Sequence, residues 1–336
     1  MGRTRWTAGL RRRTGGKGAM AGRVIALVAA ALLAVCCAAA PPPTPFPSPS
    51  RTSAPADGCG AAQRLQAGSH RLASGGLERR FLLAVPDGDG PHPVLLDLHG
   101  LGSSAAQQSA YSRLAKEGTR RGYIVLTPQA AKGRMGWTLP GTGGPDDTAF
   151  LTALLDHVRR GLCVDARRVF AAGMSYGAAM ALSLVCALHG RLAGVAAVAG
   201  LNIVRPCPGA RPVTIVAFHG SADRIVPYRG GHPFQDATGD LRGLADLVVL
   251  RGVAEEFAGW ARAFGCSGRT DSRVNGQVRL DGWRSCPDGA RLRLYTVDGG
   301  GHTWPGPIQV PRLGATARDL DATRLILDAF DRAPSR

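Results

Sequence analysis

Residues 168–180 read RVFAAGMSYGAAM: an apolar β-type run enters Gly173-Met174-Ser175-Tyr176-Gly177 and leaves through an alanine-rich helical stretch. This is G-x-S-x-G in a strand–turn–helix context, the arrangement that raises a serine at the end of a sheet as a nucleophile. The sharp turn has space only for small residues two positions to either side, a demand that Gly173 and Gly177 meet. It also sets Ser175 at a helix N-terminus, where free backbone N–H groups and the helix dipole favour a developing negative charge. A serine hydroxyl is a weak nucleophile unaided, so the pattern requires a general base, an orienting carboxylate and oxyanion donors elsewhere in the chain.

Outward from that turn, β-type runs at 80–85, 93–98, 123–127, 168–172, 195–198, 213–218 and 292–297 alternate with helical patterns near 106–117, 148–160, 176–188, 244–264 and 317–333. Strands alternating with helices predict an α/β fold, a mostly parallel central sheet with helices on both faces. Short continuous apolar runs such as VLLDL and VTIVAF suit strands buried on both sides. One catalytic domain over 59–336 is the simplest account.

The required partners lie at loops following predicted strands. His302, in DGGGHTW directly after the run at 292–297, is the best placed of eight histidines to act as general base. Asp223 follows the run at 213–218 in HGSAD, so that Ser175, Asp223 and His302 stand in the chain order Ser, Asp, His. Asp146, Asp147 and Asp298 compete for the acid role. The first two read as N-cap residues of the helix at 148–160, and Asp298 adjoins the histidine loop too closely to aim at the imidazole. The run at 93–98 ends in His99-Gly100-Leu101-Gly102, an H-G-x-G loop, which with the residue after the serine makes the backbone amides of Leu101 and Tyr176 the expected oxyanion donors. His99 itself reads as a structural hydrogen-bonding residue.

The first forty residues differ from the rest. Arg3, Arg5, Arg11, Arg12, Arg13, Lys17 and Arg23 are followed by the apolar run 24–40, the layout of a secretory signal peptide and, at 17 residues, shorter than the roughly 20 that span a bilayer. Residues 33–36 also resemble a lipobox with Cys36 as the acceptor, which would give a lipid anchor. Residues 41–58, beginning PPPTPFPSPSRTSAPA, read as an extended linker. The formal charge is +17, and removing the leader with its seven basic residues leaves +10. The arginines are scattered rather than clustered with aromatics, which reads as a solvated surface and not a nucleic-acid site.

Beyond the leader stand Cys59, Cys163, Cys186, Cys207, Cys266 and Cys286, an even number in a chain expected to be exported, so disulfides are expected. About 15 pairings are open. Closeness along the chain favours Cys186 with Cys207 and Cys266 with Cys286, leaving Cys59 for Cys163. No cysteine or histidine spacing matches a zinc site, so no metal and no cofactor are expected.

Taken together, LDLHGLGSS, Trp137 with PDDTAFL at 145–151, VFAAGMSYGAAMA, FHGSADRIVPY, WARAFGC and DGGGHTWPG resemble the extracellular polyhydroxybutyrate depolymerase and feruloyl esterase-like (LpqC-like) family of the α/β-hydrolase fold, over roughly residues 75–330. The resemblance implies a secreted serine esterase with Ser175, Asp223 and His302 at the triad positions and a Cys266–Cys286 disulfide. Trp304 and Trp137 are then candidate substrate-binding residues, Trp304 being equally readable as a buttress of the histidine loop. Family members often carry Asn or Ala where Tyr176 stands and a polar residue or Cys near Leu101, which alters pocket shape but not the backbone donors. The expected partner is an ester: a polyhydroxyalkanoate, a feruloylated polysaccharide or a small aryl ester. A monomer is expected, secreted or held at the cell envelope. An acyltransferase with the same triad, or a non-catalytic wall-associated binding protein that kept the fold, stays open at this level.

Overall fold

The structure, a computed structural model, describes residues 58–60 and 65–336. The leader, most of the linker and Cys36 lie outside the described residues.

Seven strands correspond to the runs read from sequence: β2 (Leu77–Ala84), β3 (His92–Leu98), β4 (Ile124–Pro128), β5 (Val164–Met174), β6 (Gly194–Val198), β7 (Thr214–Gly220) and β10 (Leu292–Val297). Three more, β1 (Gly68–Ser74), β8 (Ser267–Arg273) and β9 (Val278–Ser285), complete a ten-stranded sheet in the order β1-β2-β4-β3-β5-β6-β7-β10-β9-β8. β4, β3, β5, β6, β7 and β10 run parallel. Antiparallel β1–β2 and β8–β9 close the two edges. The α/β-hydrolase fold is the one expected.

Side chains alternate across the parallel strands and so build two cores. On one face Leu96, Ala171, Ala197 and Ile215 pack under α3 (Asp147–Gly161), α4 (Tyr176–Ala187) and α6 (Val253–Ala263). On the other, Leu95, Phe170, Ala196 and Val216 pack under α2 (Leu114–Thr119) and α7 (Ala322–Asp331). All eight of these strand residues are buried, the signature of parallel strands covered on both sides. No described helix is long and apolar enough to cross a membrane.

Two helices expected to be continuous are broken, each for a local reason. The pattern at 106–117 divides into α1 (Ala105–Ser112) and α2 because Ser112 is buried and committed: its hydroxyl donates to Asp97 and accepts the Leu114 N–H, and Arg113 between them adopts a left-handed φ of 58°. The pattern at 244–264 divides into α5 (Gly239–Asp246) and α6 because Leu250 pairs with Gly231 in an isolated antiparallel bridge and Gly252 is extended. The expected helix at 317–333 starts later, where Asp321 caps the Arg324 N–H.

Cys186–Cys207 and Cys266–Cys286, the two pairings that closeness along the chain favoured, are bonded, and so is the remaining pair, Cys59–Cys163. Cys266–Cys286 ties the start of the β8–β9 hairpin to its end.

Asp97, on β3, is fully buried and accepts hydrogen bonds from Gln108 (2.7 Å) and Ser112 (2.5 Å), anchoring α1 to the sheet. Burial raises its carboxyl from 3.8 to about 6, further than the Ser112 and Gln108 hydrogen bonds can pull it back. The folded chain therefore holds this proton more tightly than the unfolded one. Its contribution to stability is full below about pH 4 and is lost as pH rises through about 6. Relative to the wild type, Asp97→Asn should gain about 3 kcal/mol between pH 4 and pH 7, at roughly 1.4 kcal/mol per unit of pKa difference. Urea unfolding of both proteins across that range checks this, and a stability difference independent of pH would contradict it.

Candidate active site

The turn from β5 to α4 is enclosed by backbone. A Cβ at Gly173 would strike the Gly177 carbonyl, one at Gly177 the Leu98 carbonyl, and one at Gly200 the Ser175 carbonyl. Ser175 is forced to φ 56°, ψ −122°, a region that L-residues seldom occupy. Its amide donates to the Val198 carbonyl of the neighbouring β6 at 2.8 Å, which pins the turn to the sheet. The side chain faces a cavity of about 440 Å³ that His302 also lines.

His302 reaches that cavity on the glycine-rich loop after β10. The loop folds back on the end of β7: Gly299 donates to Ser221 Oγ at 2.8 Å, and Gly220 lies so close to Gly300 that a Cβ on it would strike the Gly300 carbonyl. His302 N donates to the Leu313 carbonyl at 2.7 Å, which fixes the backbone beneath the ring. The ring Nδ1 lies 2.8 Å from Asp223 Oδ2. Asp223 sits on the loop after β7 and its other oxygen accepts the amides of Ile225 and Val226 at 2.9 and 2.8 Å. Burial acts to raise the Asp223 carboxyl, but the His219 and His302 hydrogen bonds outweigh it and hold it well below the usual carboxylate range. Asp223 is thus an ionised acceptor for an Nδ1–H, leaving Nε2 of His302 as the basic nitrogen. The Ser175 hydroxyl makes no hydrogen bond to His302 or to any other described residue, a looseness that nucleophile–base pairs commonly lose only with substrate in place.

Each competitor for the acid position is engaged elsewhere. Asp146 is the N-cap of α3, bonding the Ala149 amide at 2.8 Å. Asp147 is not a cap. It is buried in the first turn, where it pairs with buried Arg79 at 2.5 Å and accepts the Thr138 amide at 2.7 Å. Asp298 pairs with Arg279 at the surface.

The loop carrying Leu101 approaches the serine because Gly100 has no side chain: a Cβ there would lie 3.3 Å from Ser175 Cβ. His99 is buried and fully bonded, with Nδ1 2.9 Å from the Gly100 carbonyl and Nε2 3.1 Å from the Ala130 amide. An amide must donate to Nε2, so Nδ1 carries the proton and the ring is neutral. Burial, opposed by the Gly100 bond, pulls its pKa below that of a free histidine. Trp137 donates from Nε1 to the His99 carbonyl at 2.8 Å, and Gly102 N donates to Met135 O at 2.7 Å. The Leu101 amide makes none of these loop bonds. That of Tyr176 opens a helix and has no acceptor within it.

Trp304 and Trp137, the candidate substrate-binding residues, are both placed outside the cavity lining. Trp304 is 2% exposed and sits behind the histidine loop, its ring N–H bonded to Thr323 and its amide to Tyr111 OH, both at 3.0 Å. Trp137 supports the His99–Gly102 loop and borders a neighbouring cleft with Leu101 and Tyr176. The cavity wall comes instead from Tyr111 on α1, Ile225 in the loop that carries Asp223, and Phe234, Ile308, Val310 and Leu313 on segments with no sequence signature. His219 was likewise not legible: buried on β7, it contacts the Val226 carbonyl (2.8 Å) and Asp223 Oδ2 (3.4 Å), and only its position four residues before Asp223 could have singled it out.

A family model described as phospholipase/carboxylesterase matches residues 147–258, which hold Ser175 and Asp223. Feruloyl esterase B of Piromyces equi is 29% identical over 236 residues, 67% of this chain and 42% of that protein, so the chain spans less than half of this relative. A Nocardia uniformis subsp. tsuyamanensis protein named "Putative esterase NocK" is 30% identical over 266 residues, 73% of this chain and 75% of that one. The acetyl xylan esterase from Aspergillus awamori shares the fold, with a TM-score of 0.54 at 14% identity over 79% of this chain and 99% of that one. The chain belongs to the esterase family of α/β-hydrolases that includes this Nocardia relative, and it is similar to the feruloyl esterases.

Proposed function

We propose that this chain is an exported serine esterase that hydrolyses carboxylic esters through an acyl-enzyme on Ser175. The observation that carries the reading is the buried His302–Asp223 pair opening onto the same cavity as a serine held in strained backbone geometry. In this reading Ser175 Oγ attacks the ester carbonyl as His302 Nε2 takes its proton, while Asp223 holds the Nδ1–H and stabilises the imidazolium that forms. The amides of Tyr176 and Leu101 receive the oxyanion. His302 then returns the proton to the leaving alkoxide, and water, activated by the same nitrogen, releases the acid.

For the substrate, the names of the relatives and the apolar wall of Tyr111, Phe234 and Ile308 favour an aromatic acyl group of the feruloyl kind over the polyhydroxyalkanoate that the sequence motifs also suggest. Export is supported by the three disulfides, which persist in oxidising compartments.

Ser175→Ala should lower kcat on p-nitrophenyl and feruloyl esters by at least about 10⁴-fold with unfolding unchanged. Wild-type rates in this variant would refute the assignment. Trp304→Phe separates buttress from pocket. It should lose about 1–2 kcal/mol of stability with the Thr323 hydrogen bond, while KM across esters of different acyl size moves together; a KM change confined to aryl esters would return Trp304 to the pocket.

A further inference from the structure

Arg312 is the one charged side chain, His302 aside, among the residues that line the cavity, and no carboxylate lines it. It is exposed and makes no ion pair or side-chain hydrogen bond with any described residue, so its guanidinium is free to meet a ligand in the cavity. Its backbone is not adrift. Arg312 lies in the short turn Pro311–Leu313, the Leu313 carbonyl accepts the His302 amide at 2.7 Å, and Gly301 N donates to Ala315 O at 2.9 Å. The turn bearing the guanidinium is therefore strapped to the loop bearing the imidazole.

That attachment decides which part of a substrate it meets. His302 must hand its proton to the leaving oxygen, so the alcohol portion of the ester departs on the His302 side of the cavity. The other polar side chains of the lining, Ser103, Gln107, Gln108 and Tyr111, carry no positive charge, and an unpaired guanidinium is a strong partner for a carboxylate.

We propose that Arg312 is a specificity residue that binds a carboxylate on the alcohol portion of the substrate, so the preferred esters are those whose leaving alcohol is itself an acid. This rests on the serine esterase reading and narrows it. Small hydroxy acids and the sugar acids of polysaccharides are alcohols that carry such a group.

Two matched pairs of probes test it, O-butyryl-3-hydroxybutyrate against its primary amide and O-acetyl-galacturonic acid against O-acetyl-galactose, assayed by release of butyrate or acetate. For at least one pair the wild type should favour the anionic member in kcat/KM by about tenfold. The preference should shrink as salt rises from 20 to 500 mM, should collapse towards one in Arg312→Gln and be partly kept in Arg312→Lys. The pair that responds identifies the source of the acid. Equal kcat/KM within both pairs, or a preference that survives both salt and Arg312→Gln, overturns the proposal while leaving the esterase reading intact. Cleavage of none of the four, together with no covalent capture at Ser175 by a fluorophosphonate, removes both.

Discussion

The turn between β5 and α4 has no space for a side chain at Gly173, Gly177 or Gly200, and this exclusion holds Ser175 in a backbone conformation it would otherwise leave. Such a conformation costs on the order of 1–3 kcal/mol and persists only where the surroundings over-determine it. Here three adjacent strands do so. β3 passes its carbonyls against Gly177, β6 accepts the Ser175 amide, and β5 delivers the chain into the turn. The serine is consequently presented to the cavity rather than folded into the helix that follows it.

The same sheet edge gathers the other groups. β3, β7 and β10 run parallel to β5, so their C-terminal ends lie on one side and their loops bring Leu101, Asp223 and His302 towards the serine. The loops are fixed by bonds of their own: Trp137 and His99 under the first, two amides on Asp223 in the second, Leu313 beneath the third. The strength of the Asp223 bonds lets a carboxylate stay ionised despite burial, which a paired imidazole requires if it is to act as a base and not merely fill space.

The sequence carried the centre of this arrangement more clearly than its margins. The parallel strands were legible because burial on both faces demands unbroken apolar runs, and Ser175, Asp223 and His302 because each follows such a run. The edge strands β1, β8 and β9 were not. Sequences such as SGRTDSR face solvent widely and lack apolar alternation, so pairing with a neighbour, not burial, makes them strands. The break at Arg113 was hidden because its cause is a contact between Ser112 and Asp97, distant in sequence. Asp147 looked like its neighbour Asp146 until Arg79 appeared opposite it. The cavity wall was illegible for a related reason: Tyr111, Phe234 and the 308–313 segment converge only through the fold, and nothing in their local sequence marks them as neighbours.

The central claim is that Ser175 is the nucleophile activated by the His302–Asp223 pair. Its most direct test is covalent: intact-mass and peptide mapping of the purified protein after brief exposure to a fluorophosphonate. A Ser175 nucleophile activated by His302 gives a single adduct on the peptide containing Ser175, formed far more slowly in His302→Ala. An adduct on another residue, or labelling of Ser175 at an unchanged rate in that variant, would contradict it.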